Sequence, residues 1–245
     1  RRHGQRPFTH KADPGRRDQR GRAPLIGTPD RRSFGRVRTL HADAGTPPPV
    51  LQKGQLRFIP LGGCGEVTRS CYVYEYEDDI VIVDMGLQWP DEDMPGIDYL
   101  IPNVEYLKPR RKNIRGIVIT HGHYDHIGAI PHLLDALGNP PIYTTALTRG
   151  VILKRQDDFK HGTKPEIHII TPESVVQMGA IRVEFFHVNH NIPDSVGVVL
   201  KTPVGTAIHT GDWKFDHTPV NEKPADIARL EQLGRDGVLL LVGES

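Results

Sequence analysis

The chain has 245 residues, 37% of them hydrophobic and 25% charged, which suits a globular protein with one large or two small cores. No run approaches the ~18 to 20 apolar residues of a membrane-spanning helix, and no charged-then-apolar leader is seen, so a cytoplasmic protein with no membrane attachment is expected. The net charge of +1 conceals an asymmetry: residues 1–50 hold twelve Lys/Arg against four Asp, together with seven prolines.

Such a segment buries too little apolar surface to offset its ordering entropy. Residues 1–54 are therefore expected to form a disordered basic, Pro-rich arm ahead of a folded body over 55–245. A basic arm beside an acidic body suggests a polyanionic partner such as RNA, and a merely solubilising terminus is the competing reading. The first residue is Arg, so the chain is not expected to begin where translation does. Cys64 and Cys71 match no paired zinc or redox spacing and are expected to be free thiols.

From about Gln55, short β-type runs alternate with helical ones. Leu56–Pro60, Cys71–Tyr76 and Ile80–Asp84 read as strands. Ile114–Thr120 is a nearly continuous β-branched run, as in a strand buried on both faces. Ile127, Ile130, Leu133, Leu134 and Leu137 then recur at helical spacing, with Pro131 suited to a first turn and Gly138 to a stop. Thr145 is placed to cap a helix through about Phe159. Strands are predicted at Glu166–Ile170, Ile181–Val188, Val196–Thr202 and Thr206–Thr210, a short helix near Asp226–Leu233, and a last strand at Val238–Val242. The body reads as a mixed α/β domain.

The chemistry is expected at strand ends. His121-Gly122-His123-Tyr124-Asp125-His126 directly follows the apolar run Ile117–Thr120 and precedes the helical pattern. It therefore lies on a loop at a strand's carboxyl end, where α/β proteins tend to place ligands. Imidazole nitrogens and carboxylate oxygens bind first-row metals and leave open positions for water. Two histidines one residue apart can converge on one ion, and the Asp and His that follow can turn toward a second. Gly122 offers backbone freedom in a crowded loop.

This run resembles the signature of the metallo-β-lactamase superfamily, an αββα sandwich with a two-metal site on its edge. Further pieces resemble that family's motifs in order: Asp84 in Ile82-Val83-Asp84-Met85-Gly86, His190 in Val188-Asn189-His190, and Asp212 in His209-Thr210-Gly211-Asp212. Longer segments are similar to the ribonuclease J family of the β-CASP group, namely Leu61–Glu66, Pro95–Pro102, Asn189–Ser195 and Gly211–Asp216. The likeness covers roughly residues 55 to 245. Departures are Thr68 where Gly is common, Trp213 where Phe is common, and Gly243-Glu244-Ser245 where Ser-Asp-Ser is usual.

The resemblance implies that His121, His123 and His190 bind one zinc, that Asp125 and His126 bind another, and that Asp212 bridges them, with Mn²⁺ suited to the same donors. Asp84, Asp125, His126 and Asp212 are the implied catalytic residues, Asp84 by orienting a ligand histidine through its ring N–H. His209 is expected to be a satisfied core histidine. A structural calcium near Gly96 and Asp98 is a further implication, and Gly62–Gly65 reads as a tight turn on the site rim. The implied activity is zinc-dependent hydrolysis of single-stranded RNA, trimming from a 5′-monophosphate end and cutting internally, by hydroxide activated between two metals. In that family a β-CASP domain is inserted after the fourth motif. The chain is thus expected to be an incomplete, N-terminal part of the sandwich, inactive alone, from a homo-oligomeric enzyme. A small-molecule hydrolase of the same fold, acting on a lactone, thioester or lactam, and an RNA-binding protein with a vestigial metal site are the alternatives.

Overall fold

The computed structural model describes residues 48–159, 163–220 and 222–244. The expected basic arm falls largely on residues 1–47, outside the described residues; residues 48–54 form neither helix nor strand. No helix among the described residues is long and apolar enough to cross a membrane.

Two sheets make the body. The first has six strands in the order β1 (Leu56–Gly62), β2 (Cys71–Tyr76), β3 (Asp79–Val83), β4 (Ile114–Val118), β5 (Ile142–Thr144) and β6 (Ile167–Ile169). The second has β11 (Leu240–Glu244), β10 (Gly205–Asp212), β9 (Val196–Thr202), β8 (Ile181–His187) and β7 (Val175–Met178). In the first sheet β1 to β3 pair antiparallel and β3 to β6 pair parallel. Parallel strands need crossovers, and helices supply some of them.

Strand alternation sorts the side chains into layers. Tyr72, Tyr74, Tyr76, Val81, Val83 and Val118 meet Val183, Phe185, Val196, Val198 and Leu200 between the sheets. Cys71, Val73, Ile80, Ile82 and Ile117 point the other way, against Ile127, Ile130, Leu133 and Leu134 of a helical layer. That layer contains α1 (Tyr124–Ile127), α2 (Ile130–Leu133) and α3 (Ala146–Gln156). On the far face of the second sheet, Phe186, Val199 and Ile208 pack on Leu230 and Leu233 of α4 (Ile227–Asp236). The result is helix, sheet, sheet, helix. Glu75, in the fully buried β2, is neutralised by Arg57 and Arg110 and accepts from the Tyr106 hydroxyl at 3.0 Å.

Several predicted boundaries shift. The single helix expected from Ile127 is two one-turn helices, and α3 ends at Gln156, short of Phe159. Gly138 sits at φ +82°, the left-handed stop its position suggested. Thr145 does stand at the N-cap of α3, but its hydroxyl donates to the Asp194 carbonyl at 2.9 Å; the Asp194 carboxylate instead accepts from Leu147 N–H at 3.1 Å. Strands β5 and β7 were not anticipated. Residues Gly179 and Ala180 alone join β7 to β8, with Gly179 at φ +63°, the glycine-led two-residue hairpin.

Candidate metal centre

All six expected ligands gather at one edge of the sandwich, from both sheets. The His121–His126 run follows β4 and opens α1, at the carboxyl end of a parallel strand. Its path is fixed by the segment after β3 and by Ser70, just before β2. Met85 N–H donates to the His126 carbonyl at 2.7 Å, Leu87 N–H to the Tyr124 carbonyl at 3.0 Å, and Ser70 N–H to the Asp125 carbonyl at 2.9 Å. Gly86 makes this clamp sterically feasible, because a Cβ there would lie 1.5 Å from the Asp125 carbonyl oxygen. Gly122 works differently from the expectation. It does not have positive φ, and a Cβ would merely meet Ile192 and Val151 at 3.4 Å.

Asp84 is completely buried at φ +60°, a conformation that disfavours most side chains but is more open to Asp and Asn. Its carboxylate accepts from Thr120 N–H at 2.8 Å, the Thr120 hydroxyl at 2.9 Å and His126 Nδ1 at 2.8 Å. Since the Thr120 hydroxyl donates to Asp84, it accepts from His121 Nδ1, 3.0 Å away. Both rings are thereby oriented through Nδ1, so that Nε2 faces the site. Asp84 fixes one ring directly and the other through Thr120, a residue that sequence reading missed although it directly precedes His121.

The ring nitrogens converge. His121 Nε2 lies 3.0 Å from His123 Nδ1, which lies 3.2 Å from His190 Nε2, itself 3.4 Å from Asp212 Oδ2. On the other side of Asp212, Oδ1 is 3.6 Å from His126 Nε2, which is 3.7 Å from Asp125 Oδ2. Beside a third set, Asp84/His126/Glu244, two groups of donors share Asp212, namely His121/His123/His190/Asp212 and Asp125/His126/Asp212, and within each group the atoms lie within 4.8 Å of one another. Asp212 belongs to both, one oxygen toward each. A β-bulge aims it there: the β10–β11 register shifts between His209 and Asp212, with Gly211 at φ +58°.

The electrostatics suit cations. Burial, then the charge of His126, His123 and His190, pushes His121 far below its ordinary value, so it is a neutral donor. Burial also opposes protonation of His126, but Asp84, Asp212 and Glu244 outweigh it and raise its pKa well above the ordinary value. Burial works against ionisation of Asp212, yet the facing His126, His190 and His123 hold its carboxyl below the usual range. Imidazoles beside carboxylates, with open space alongside, form a donor set for a divalent first-row metal.

That space is a cavity of about 390 Å³ beside the second group, lined by Asp125, His126, Asp212, the Gly63–Thr68 loop and Glu244. The glycine loop therefore does stand on the rim. Glu244, seen in the sequence only as a departure, reaches inward: it accepts from the Ser70 hydroxyl at 3.0 Å and lies 2.9 Å from His209 Nε2. His209 is fully buried, and its Nδ1 is 3.1 Å from the Tyr74 hydroxyl, so both ring nitrogens are satisfied within the core. Asn189 also has a role that sequence reading missed. Buried beside His190, it donates to the Lys223 carbonyl at 2.8 Å and accepts from Ala225 N–H at 2.7 Å. Gly96 and Asp98 lie on an exposed turn, and neither belongs to a group of three ligating side chains among the described residues. Cys64 is exposed and Cys71 buried, both as free thiols.

An αββα sandwich whose edge presents two histidine–carboxylate groups sharing one Asp has the architecture of a metallohydrolase. Residues 64–234 match the family model for the metallo-beta-lactamase superfamily, and the chain belongs to that superfamily. Within it, the chain is similar to proteins named ribonuclease J. Ribonuclease J of Thermus thermophilus is 41% identical over 198 residues, 78% of this chain and 34% of that protein. Ribonuclease J2 of Bacillus subtilis is 40% identical over 190 residues, again 78% and 34%. The chain thus spans about a third of the length of the curated relatives it matches. The crystal structure of a protein of unknown function from Enterococcus faecalis shares the fold, with a TM-score of 0.52 at 20% identity over 65% of this chain and 44% of that one.

Proposed function

We propose that this chain supplies the metal-binding part of a zinc-dependent ribonuclease of the ribonuclease J kind, acting on single-stranded RNA in the cytoplasm, from a 5′-monophosphate end and internally. The observation that carries the reading is Asp212, standing with one oxygen toward each donor group. The similarity to proteins named ribonuclease J supports RNA as the substrate.

In this reading His121, His123 and His190 would hold one zinc and Asp125 and His126 the other, with Asp212 serving both. Two such ions supply an activated water and charge neutralisation for the displaced oxygen of a phosphodiester. The chain's own residues do the positioning. Asp84 and Thr120 orient His126 and His121 so that Nε2 faces the site. The Met85–Leu87 segment holds the loop against them. The cavity between Asp125, His126 and the Gly63–Thr68 loop leaves room for a phosphodiester to approach.

The test uses this chain and a chimera in which it replaces the matching segment of the Thermus ribonuclease J. Each is given labelled 5′-monophosphorylated single-stranded RNA, with and without chelator. Chelator-sensitive cleavage by the chimera, abolished by His123→Ala, is the expected result. A zinc-loaded chimera that leaves RNA intact would turn the assignment toward a small-molecule hydrolase.

A further inference from the structure

Tyr124 lies inside the metal-binding run, between His123 and Asp125, as the first residue of α1. Unlike its neighbours it takes no part in either donor group, and its side chain is 39% exposed, a large aromatic surface left to solvent. The ring is nevertheless fixed. The Arg155 guanidinium of α3 lies over it, 5.2 Å from its centroid, and also over Phe159 at 4.9 Å, so one cation contacts both aromatic rings. Arg155 is itself well covered, at 15% exposure, and is tethered to Asp158 at 3.4 Å. Tyr124 is thus a partly exposed ring braced by a held cation, one residue from ligands of both donor groups.

We propose that Tyr124 is a stacking platform for a nucleobase of the single-stranded substrate, positioning the strand at the metal centre, with Arg155 as the residue that holds the ring. This rests on the ribonuclease reading above. Three features favour a base over another apolar group. Stacking needs a flat, preoriented, accessible aromatic face, and a cation packed behind the ring holds it in place. Single strands offer unpaired bases to such faces, whereas a duplex keeps them stacked inside. The phosphate that follows a base stacked here would lie toward the adjacent donor groups.

The experiment measures binding of the zinc-loaded full chain to a fluorescently labelled single-stranded RNA decamer, and to a decamer of the same length lacking bases, by anisotropy. Tyr124→Ala is expected to weaken binding to the ordinary RNA roughly 5- to 150-fold, the range for loss of one base–aromatic stack. It should leave binding to the abasic strand unchanged, and Tyr124→Phe should bind like the parent. Arg155→Gln should give a smaller loss on the ordinary RNA only. Zinc content, measured on every variant, should be unaltered. Equal losses on both strands, or a Tyr124→Phe that fails like Tyr124→Ala, would overturn the platform while leaving the ribonuclease reading standing. No affinity of the parent chain for either strand would count against both.

Discussion

His126 Nδ1 donates to Asp84 Oδ2 at 2.8 Å, with both side chains closed off from solvent. A carboxylate behind an imidazole fixes which nitrogen is free and raises its basicity as a donor. Asp84 should therefore be felt at the metal without touching it. Asp84→Asn keeps the shape, and Asn tolerates the positive φ, so the fold should survive. Metal affinity should fall roughly 10- to 100-fold. Zinc titration with a competing chromophoric chelator, beside a thermal melt of the metal-free protein, separates the two effects. Unchanged affinity would remove Asp84 from the positioning role.

Gly86 tests the clamp on the metal loop. Any Cβ there collides with the Asp125 carbonyl at 1.5 Å, and backbone cannot swing aside as a side-chain tip can. Gly86→Ala should lower Tm and metal content together. Gly150, in α3, is the control. Nothing lies within 4 Å of a Cβ added there, so Gly150→Ala should raise stability by up to about 1 kcal/mol through helix propensity.

The sharing of Asp212 predicts a stoichiometric difference. Asp212→Ala removes a donor from both groups, whereas His190→Ala and Asp125→Ala each remove one from a single group. Metal analysis after desalting should show Asp212→Ala losing both zincs and the other two variants retaining about one. Retention of one tightly held zinc by Asp212→Ala would mean that it does not bridge.

Proton release should distinguish the two groups. His126 is raised above its ordinary value, so at neutral pH the metal-free ring carries a proton that a metal must displace. His121 is lowered and has none to lose. Zinc affinity at the Asp125/His126/Asp212 group should therefore climb with pH from neutrality until the raised pKa of His126 is passed. Calorimetry in two buffers of different ionisation enthalpy should report proton uptake by the buffer for that group. Affinities with the same slope in both groups would contradict the assignment.

The legible parts were those with strong local signals. Ile80–Val83 is buried on both faces, as is Ile114–Val118 apart from the exposed Arg115, and their β-branched residues announce them. The ligands fall after such strands, so the motifs and the strand reading pointed to the same edge. What stayed hidden depends on contacts distant in sequence. Strand β5 has only three residues, too few for periodicity, and exists because β4 and β6 flank it. Thr145 looks like an ordinary cap, but the carboxylate that caps α3 comes from Asp194, in the loop carrying His190. Thr120 reads as the polar end of an apolar run, and its relay from His121 to Asp84 appears only when β3 and β4 are side by side.

His121, His123, Asp125 and His126 hang from the first sheet, and His190 and Asp212 from the second. An ion held among them is therefore also a rivet through the seam between two layers that apolar packing and polar contacts such as Ser70 to Glu244 also join. Binding confined to the folded state stabilises it by mass action, about 4 kcal/mol at a thousand times Kd. Depriving the protein of metal should thus open this edge of the sandwich to proteolysis and hydrogen exchange, so that metal supply governs how long the fold persists as well as what it can do.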